Sequence, residues 1–244
     1  RIFAKTPTAI AAFFRARKNK KIIHPKKGLG FSENFFYMCF GKIPRNEIIK
    51  AFDVSLILYA EHSFNVSTFT ARTITSSLSD IHSAITGAVG SLKGPLHGGA
   101  NEEVMHMMKK IKKPENSFKW INHALVSKDV IMGFGHRVYK KGDSRVPTME
   151  KYFKKVATIK KDKKFIKIYD IVKNVMIERK NIHPNVDYPT GPTYHLMGFD
   201  TDFFTPIFVI SRITGWSAHI MEQHAANKLI RPLSKYSGAK HRKV

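Results

Sequence analysis

Residues 79–114 decide the fold class, and they read SDIHSAITGAVGSLKGPLHGGANEEVMHMMKKIKKP. On both sides of residues 94–99, apolar side chains recur at the three- and four-residue spacing of a helix. Residues 94–99 contain three glycines and a proline, which must interrupt any helix. Glu102 and Glu103 then supply the acids that suit a helix first turn, where the backbone carries partial positive charge. The stretch therefore predicts two helices joined by a tight turn that carries His97.

Helical periodicity continues through most of the remaining chain. Proline marks several boundaries: Pro147 and Pro206 stand where the first turn of a helix favours proline, and Pro114 and Pro232 end helices. Helices are predicted over residues 48–60, 67–75, 79–92, 101–111, 115–127, 165–178 and 206–229, with one more starting at residue 147. No alternation of strands with helices is visible. The fold class is predicted to be all-α.

The charge of the chain is unevenly distributed. Lys and Arg number 42 against 18 Asp and Glu, a formal net charge of +24. Residues 11–27, 109–113, 151–167 and 235–243 together hold 23 of the basic residues and one acid, so the rest is nearly neutral. Such an excess is typical of proteins that bind polyanions, but lysine greatly outnumbers arginine, which weakens the case for base readout. Solvated lysine-rich helix faces are the simpler interpretation, and we do not expect nucleic acid as a partner.

Several classes of site are excluded by what the sequence lacks. Cys39 is the single cysteine, so no disulfide framework or multi-cysteine zinc site is expected. His219 and His224 are five residues apart, a poor spacing for two ligands on one helical face, and we expect neither a metal nor a permanently bound cofactor. No apolar run approaches the roughly 20 residues of a membrane span.

Three polar residues stand at breaks between predicted helices. His97 lies in the first glycine-rich turn, His136 follows the glycine pair of a second turn at residues 133–135, and Asp187 lies in a segment expected to be a loop bracketed by Pro184 and Pro189. Loops on a rigid scaffold commonly carry catalytic groups. Each residue alone also has an ordinary alternative, since the histidines are suited to structural hydrogen bonds and the aspartate to a helix cap.

Taken together, six ordered segments resemble the citrate synthase superfamily. They are, in chain order, YAEHSFN (59–65), LHGGANE (96–102), GFGHRVY (133–139), NVD (185–187), SRITGW (211–216) and IRP (230–232). The resemblance runs from about residue 13 to residue 238. Three further segments, LYAEHSFN (58–65), FTPIF (204–208) and AHIMEQ (218–223), favour the 2-methylcitrate synthase branch over a citrate-only synthase.

The resemblance implies a two-domain helical architecture. Residues 1–100 and 199–244 are expected to belong to the large domain, and residues 101–198 to form the small one. Family members carry a further helical region before the equivalent of Arg1, so the N-terminal part of the large domain is expected to be missing from this sequence. One departure is Asp143-Ser144-Arg145, where the widespread family pattern is Asp-Pro-Arg. Its arginine is kept, and so is the role expected for it.

The resemblance also implies the reaction: condensation of an acyl-CoA with oxaloacetate, then hydrolysis of the thioester. The expected activity is that of a 2-methylcitrate synthase using propionyl-CoA, with citrate synthase activity on acetyl-CoA. By motif position Asp187 is the base, His97 the donor to the thioester oxygen and His136 the donor to the ketone. We hypothesise that His97 is a neutral donor with a depressed pKa, because a helix N-terminus follows it.

The substrate-binding residues are likewise implied by the resemblance. Oxaloacetate is expected to be held by His62, Arg145, Arg212 and Arg231, since a guanidinium matches a carboxylate with two parallel hydrogen bonds. Family geometry brings the equivalent of Arg231 from a neighbouring subunit, which implies a homodimer. The expected CoA contacts, through backbone N–H groups and cationic side chains, are Leu96, Gly98, Gly99, Ile131, Gly133, Gly135, Arg137, Lys140 and Lys141.

Some alternatives stay open at this point. A catalytically inactive scaffold of the same fold, or a polyanion-binding protein using the lysine-rich segments, is the competing interpretation. The choice between acetyl and propionyl is open too, because one methylene is worth only about 1–3 kcal/mol in a hydrophobic pocket. Propionate metabolism and the tricarboxylic acid cycle are the expected settings. The expected compartment is the mitochondrial matrix for a eukaryotic source or the cytoplasm for a bacterial one, without secretion.

Overall fold

A computed structural model describes residues 1–139 and 141–239 and confirms the all-α prediction for them. Within these residues there is no strand, and one isolated β-bridge joins Phe134 to Pro184. The helices are α1 (Ile2–Ala16), α2 (Phe31–Phe40), α3 (Asn46–Tyr59), α4 (Val66–Ser76), α5 (Ile81–Leu92), α6 (Ala100–Ile111), α7 (Ser117–Val126), α8 (Val146–Ile159), α9 (Lys164–Lys180), α10 (Asp187–Met197) and α11 (Phe204–Ala225). No helix of the described ranges combines the length and hydropathy needed to span a membrane.

The structure departs from the sequence-based helices in three places. Helices α1 and α2 were not predicted, and α11 ends at Ala225, before the expected end near residue 229. The loop expected around Asp187 is wrong: Asp187 is the first residue of α10. Pro189 is tolerated there because the first-turn N–H groups of a helix have no intrahelical partner to lose.

Two hydrophobic clusters form the interior. The larger centres on Phe199, whose ring lies near seven other aromatic rings of α1, α2, α3, α10 and the segment before α11, including Phe14, Phe35 and Phe52. The smaller is built around Trp216 of α11 and covers α4, α5 and the end of α3. Both clusters contain residues from all three predicted segments, and the division into 1–100, 101–198 and 199–244 stays a prediction.

Close backbone contact joins α11 to the end of α3. The N–H of Gly215 donates to the carbonyl of Ala60 at 3.1 Å, and a Cβ on Gly215 would lie only 2.4 Å from that oxygen. Glycine is therefore required at this crossing. The contact places Arg212, one turn earlier in α11, directly behind the segment that follows α3.

Candidate active site

One cleft of about 430 Å³ gathers most of the predicted site residues. It lies where the end of α3, the turn between α5 and α6, the turn at residues 133–139, the start of α8, the start of α10 and the middle of α11 meet. The predicted residues that line it are His62, Leu96, His97, Gly135, His136, Arg137, Arg145, Asp187 and Arg212. Six segments far apart in the sequence therefore converge on one concave surface.

His97 lies in the tight turn between α5 and α6. The turn is closed by hydrogen bonds from the N–H of His97 to the carbonyl of Gly94 (2.9 Å) and from the N–H of Gly98 to that of Leu92 (2.8 Å). The imidazole Nε2 lies 2.8 Å from the hydroxyl of Ser67 and accepts the Ser67 N–H at 3.3 Å. Because Nε2 accepts a hydrogen bond, the proton of a neutral His97 is on Nδ1, which is then the available donor.

The electrostatics of His97 favour the neutral ring. Burial, and next the charge of Arg212, lower the pKa of His97 to about 4. The direction agrees with the hypothesis drawn from the sequence, and burial and the neighbouring arginine are its two largest causes. A neutral imidazole at this position donates a hydrogen bond without carrying a charge.

Asp187 begins α10 and presents its carboxyl to the cleft. Its Oδ1 accepts the hydroxyl of Tyr59 at 2.5 Å, and its own N–H donates to the side chain of Asn185 at 3.1 Å. Burial raises the pKa of Asp187 to about 6, although Tyr59 and Arg145 favour its ionised form. A carboxylate with a pKa close to neutral is both ionised at pH 7 and basic enough to accept a proton, as a general base must be.

His62 and His136 form a pair on the opposite side of the cleft. Their ring centroids are 5.0 Å apart with an interplanar angle of 29°. The Nδ1 of His136 accepts the N–H groups of Val138 (3.0 Å) and Tyr139 (3.2 Å), which leaves Nε2–H as its donor. Burial, followed by the charge of Arg145, lowers the pKa of His62, and burial also lowers that of His136. Both rings are therefore suited to act as neutral donors.

Arg212 is a buried cation that forms no ion pair with a carboxylate of the described residues. It is 2% exposed, its Nε donates to the carbonyl of Tyr59 at 2.6 Å, and its guanidinium lies 4.8 Å from the ring centroid of Phe208. Within the described part of the chain, its Nη1 and the Nε2 of His62 are buried and have no hydrogen-bond partner. Burial, and next the charge of Arg145, lower the pKa of Arg212 to about 10. An unpaired buried guanidinium N–H of this kind indicates a site for an anion.

Six described positions of the predicted site lie outside the cleft lining: Gly98 and Gly99 in the turn before α6, and four more that lie farther along the chain. Ile131 is buried in the larger hydrophobic cluster, Gly133 is packed against Val104 and Tyr188, and Lys141 is exposed away from the lining. Arg231 is exposed on the extended segment that follows α11. Lys140, a further predicted CoA contact, lies outside the described residues.

Three of the glycine N–H groups predicted to contact CoA have backbone partners in the structure. The N–H groups of Gly98, Gly99 and Gly135 donate to the carbonyls of Leu92, Gly94 and His183. These hydrogen bonds close the turns, and the contact of these positions with CoA stays a prediction. The exposed side chains of Leu96 and Arg137 remain as predicted CoA contacts at the cleft mouth.

Sequence reasoning also missed residues that hold the site together. Tyr59 and Phe208 line the cleft, and Ser67 fixes the ring of His97. Tyr59 and Phe208 were read only as parts of resembling segments, because an aromatic residue in an apolar helix ordinarily belongs to the core.

The sequence as a whole matches a known protein family. The family model described as "Citrate synthase, C-terminal domain" matches residues 1–233. The chain belongs to the citrate synthase family. The recognition from sequence motifs is thereby confirmed.

Relatives within the citrate synthase family carry two names. A protein of Mycobacterium tuberculosis named 2-methylcitrate synthase is 54% identical over 99% of this chain and 62% of its own length. A protein of Mycolicibacterium smegmatis named citrate synthase is 52% identical over the whole chain and 65% of its own length. The chain thus spans less than two thirds of the length of these relatives.

A solved structure of the citrate synthase family extends the likeness to the fold. The citrate synthase of Thermoplasma acidophilum, in a ternary complex with carboxymethyl coenzyme A and oxaloacetate, superposes with a TM-score of 0.92 at 34% identity. The match covers all of this chain and 66% of that one.

Proposed function

We propose that the protein containing this chain is a 2-methylcitrate synthase, which condenses propionyl-CoA with oxaloacetate and releases 2-methylcitrate and CoA, and which also accepts acetyl-CoA. One observation carries the proposal: Asp187, with a pKa of about 6, shares a cleft with the donors His97 and His136 and with the cations Arg145 and Arg212. A base, two neutral donors and two cations are what this condensation requires.

Binding of oxaloacetate uses the unpaired donors of the cleft. Nη1 of Arg212 and Nε2 of His62 are buried and lack a protein partner among the described residues. A carboxylate placed between them gains a charge-assisted hydrogen bond from Arg212 and a second one from His62 in the tautomer that carries its proton on Nε2, and it relieves the cost of a buried, unsatisfied guanidinium N–H. His136, through Nε2–H, is positioned to polarise the ketone that becomes an alkoxide.

Proton abstraction is assigned to Asp187 and His97. The Asp187 carboxylate removes a proton from the carbon next to the thioester carbonyl, while His97 donates from Nδ1 to the carbonyl oxygen. Because His97 is neutral, the developing enolate is stabilised without a full proton transfer from a strong acid. The nucleophilic carbon then attacks the ketone carbon, and water cleaves the thioester to release CoA.

The proposal also covers the choice of acyl-CoA substrate and the oligomeric state. The relative of Mycobacterium tuberculosis named 2-methylcitrate synthase supports propionyl-CoA, and the one named citrate synthase supports acetyl-CoA as a second substrate. We further propose a homodimer in which Arg231 completes the cleft of a second copy, since it lies outside its own. Propionate metabolism, the tricarboxylic acid cycle and the compartment stay predictions.

The scaffold or polyanion-binding alternative is not favoured. The two relatives of this chain described above are named as synthases. The cleft also holds together the six side chains predicted for catalysis and oxaloacetate binding. The described residues of the lysine-rich segments lie outside this lining.

The test is a thiol-release assay on the full-length protein with oxaloacetate and either propionyl-CoA or acetyl-CoA. We expect release with both, and a higher kcat/KM for propionyl-CoA. The Asp187→Ala variant should lose at least about a hundredfold in kcat, the scale of general base catalysis. Asp170→Ala, which removes a helical aspartate outside the cleft, is the matched control and should keep its activity. An absence of thiol release with both acyl-CoA substrates would reject the proposal.

A further inference from the structure

Tyr59 is the last residue of α3, and its hydroxyl reaches the proposed base. The side chain is 1% exposed, and the hydroxyl donates to Oδ1 of Asp187 at 2.5 Å. The ring packs on Phe208, with the two centroids 4.1 Å apart, so the hydroxyl has little freedom to point elsewhere. A buried tyrosine hydroxyl therefore holds one specific oxygen of the Asp187 carboxylate.

The same residue also touches the proposed oxaloacetate site. The backbone carbonyl of Tyr59 accepts Nε of Arg212 at 2.6 Å. Phe208, against which the ring packs, lies 6.3 Å from the ring centroid of His97. Tyr59 thus contacts the proposed base through its hydroxyl and the proposed carboxylate-binding Arg212 through its backbone carbonyl.

We propose that the Tyr59 hydroxyl is the positioning residue for Asp187: it fixes Oδ1, directs Oδ2 to the substrate carbon and favours the ionised carboxylate that can accept a proton. This inference rests on the proposed function of Asp187 as base.

The chemistry of a phenol suits this role. A neutral donor stabilises the carboxylate without placing a second charge in the cleft, and a hydrogen bond to an ionised group is stronger than one between neutral groups. Burial, and next the negative charge of Asp187, raise the pKa of Tyr59 well above its usual value. Tyr59 consequently keeps its proton throughout the range in which Asp187 titrates.

Other charged or titratable groups also face Asp187. They are Arg145 at the start of α8, Asp143 just before it, Arg212 of α11, the neutral Tyr194 of α10, and the cleft residues His62, His97 and His136. The two arginines favour the ionised carboxylate, and Asp143 opposes it. A Tyr59→Phe substitution leaves all of these groups in place, so a difference from the wild type reports the hydroxyl alone.

The experiment compares the pH dependence of kcat/KM in the wild type and Tyr59→Phe, using the full-length protein. Removal of the donor should move the acid limb upward by about one pH unit, the scale of one hydrogen bond to a charged group. At pH values below the midpoint of the acid limb, the kcat/KM of the variant should then be up to about tenfold lower than that of the wild type. On the alkaline plateau the two values should be close. Tyr194→Phe is the matched control, because this buried hydroxyl of α10 contacts Ser55, not Asp187, and its limb should stay in place.

A second readout does not depend on turnover. Carboxyl ¹³C NMR should show the Asp187 titration shifted to higher pH in Tyr59→Phe and unshifted in Tyr194→Phe. An acid limb and a titration that both stay at the wild-type position would overturn the inference, as would a loss of rate that is equal at every pH. A wild type without thiol release would instead reject the proposed function, while the NMR titration would still decide the role of Tyr59.

Discussion

Arg145 and Asp143 form a two-pronged ion pair at the start of α8. Nε of Arg145 lies 2.9 Å from Oδ1 of Asp143, and Nη2 lies 2.8 Å from Oδ2. The same carboxylate accepts the N–H groups of Arg145 and Val186, each at 3.0 Å. Asp143 therefore orients an arginine of the cleft and also anchors the residue that precedes Asp187.

The Asp143→Asn variant should lose both functions of this carboxylate. Removing one partner of a buried ion pair costs about 3 kcal/mol in the free energy of unfolding at pH 7. Arg145 would no longer be held in one orientation, and the KM for oxaloacetate should rise about tenfold, a loss of about 1.4 kcal/mol in binding. Thermal unfolding and steady-state kinetics measure the two effects.

The stability difference should depend on pH in a defined direction. Burial opposes the ionisation of Asp143, but hydrogen bonds and charge from Arg145 prevail and lower its pKa below the usual value. A lowered carboxyl pKa stabilises the folded state above the unfolded pKa of about 3.9, and this stabilisation is lost as the pH falls through the folded value. Wild type and variant should therefore converge at low pH; a difference of the same size at pH 7 and at low pH would contradict the assignment.

Arg212→Met should abolish the response to oxaloacetate. At a concentration of 100 times Kd, a ligand stabilises the folded wild type by about 2.7 kcal/mol, which thermal unfolding detects. Methionine fills a similar volume without a charge, so the variant should fold but show no shift of Tm with oxaloacetate. Arg72→Met is the control: this arginine pairs with Glu222 outside the cleft lining, and its variant should keep the ligand response. An equal response in both variants would remove Arg212 from the site.

His97 should be neutral and protonated on Nδ1 at pH 7. The Ser67 N–H points to Nε2, which must supply a lone pair, and burial keeps the pKa of His97 near 4. Imidazole ¹⁵N NMR, with the signal assigned by a His97→Gln variant, distinguishes the two tautomers and the imidazolium. Observation of the Nε2–H tautomer, or of a charged ring above pH 6, would be incompatible with the donor role proposed for Nδ1.

Arg231 should act across a subunit boundary. Arg231→Ala and Asp187→Ala homodimers should each be inactive, because every cleft lacks one required group. When equal amounts of the two variants are mixed and reassociated, about half of the dimers are heterodimers. One of the two clefts in each heterodimer has both Asp187 and Arg231, so about a quarter of the wild-type activity should return. Activity that never exceeds the sum of the two separate variants would show that Arg231 serves its own cleft or none.

Part of this architecture could be read from the sequence because it depends on local signals. Apolar spacing and glycine or proline breaks located α3 to α9, and ordered motifs located the six side chains of the cleft. Helix α10 was not predicted because its eleven residues include Pro189, Gly191 and Pro192, and such a composition ordinarily ends a helix. The chain tolerates it because Pro189 occupies the first turn and Gly191 packs tightly against the backbone of Asn101.

The remaining features depend on contacts between distant segments. The Tyr59–Asp187 hydrogen bond joins positions 128 residues apart, and nothing in either local pattern distinguishes this tyrosine from a core aromatic residue. The backbone partners of Gly98, Gly99 and Gly135 could not be predicted for a related reason, since a glycine-rich turn can either offer its N–H donors to a ligand or use them to close itself. Only the three-dimensional path of the backbone decides between these outcomes.

The contact between Gly215 and Ala60 sets the width of the cleft. Since the α11 backbone rests directly on the carbonyl of Ala60, the segment carrying Glu61 and His62 cannot move closer to Arg212. A single added methyl group at position 215 would act as a wedge and open the gap between the His62 ring and the guanidinium. In the proposed function, the size of the dicarboxylate that fits this cleft therefore depends on the absence of a side chain at position 215, which lies outside the cleft lining.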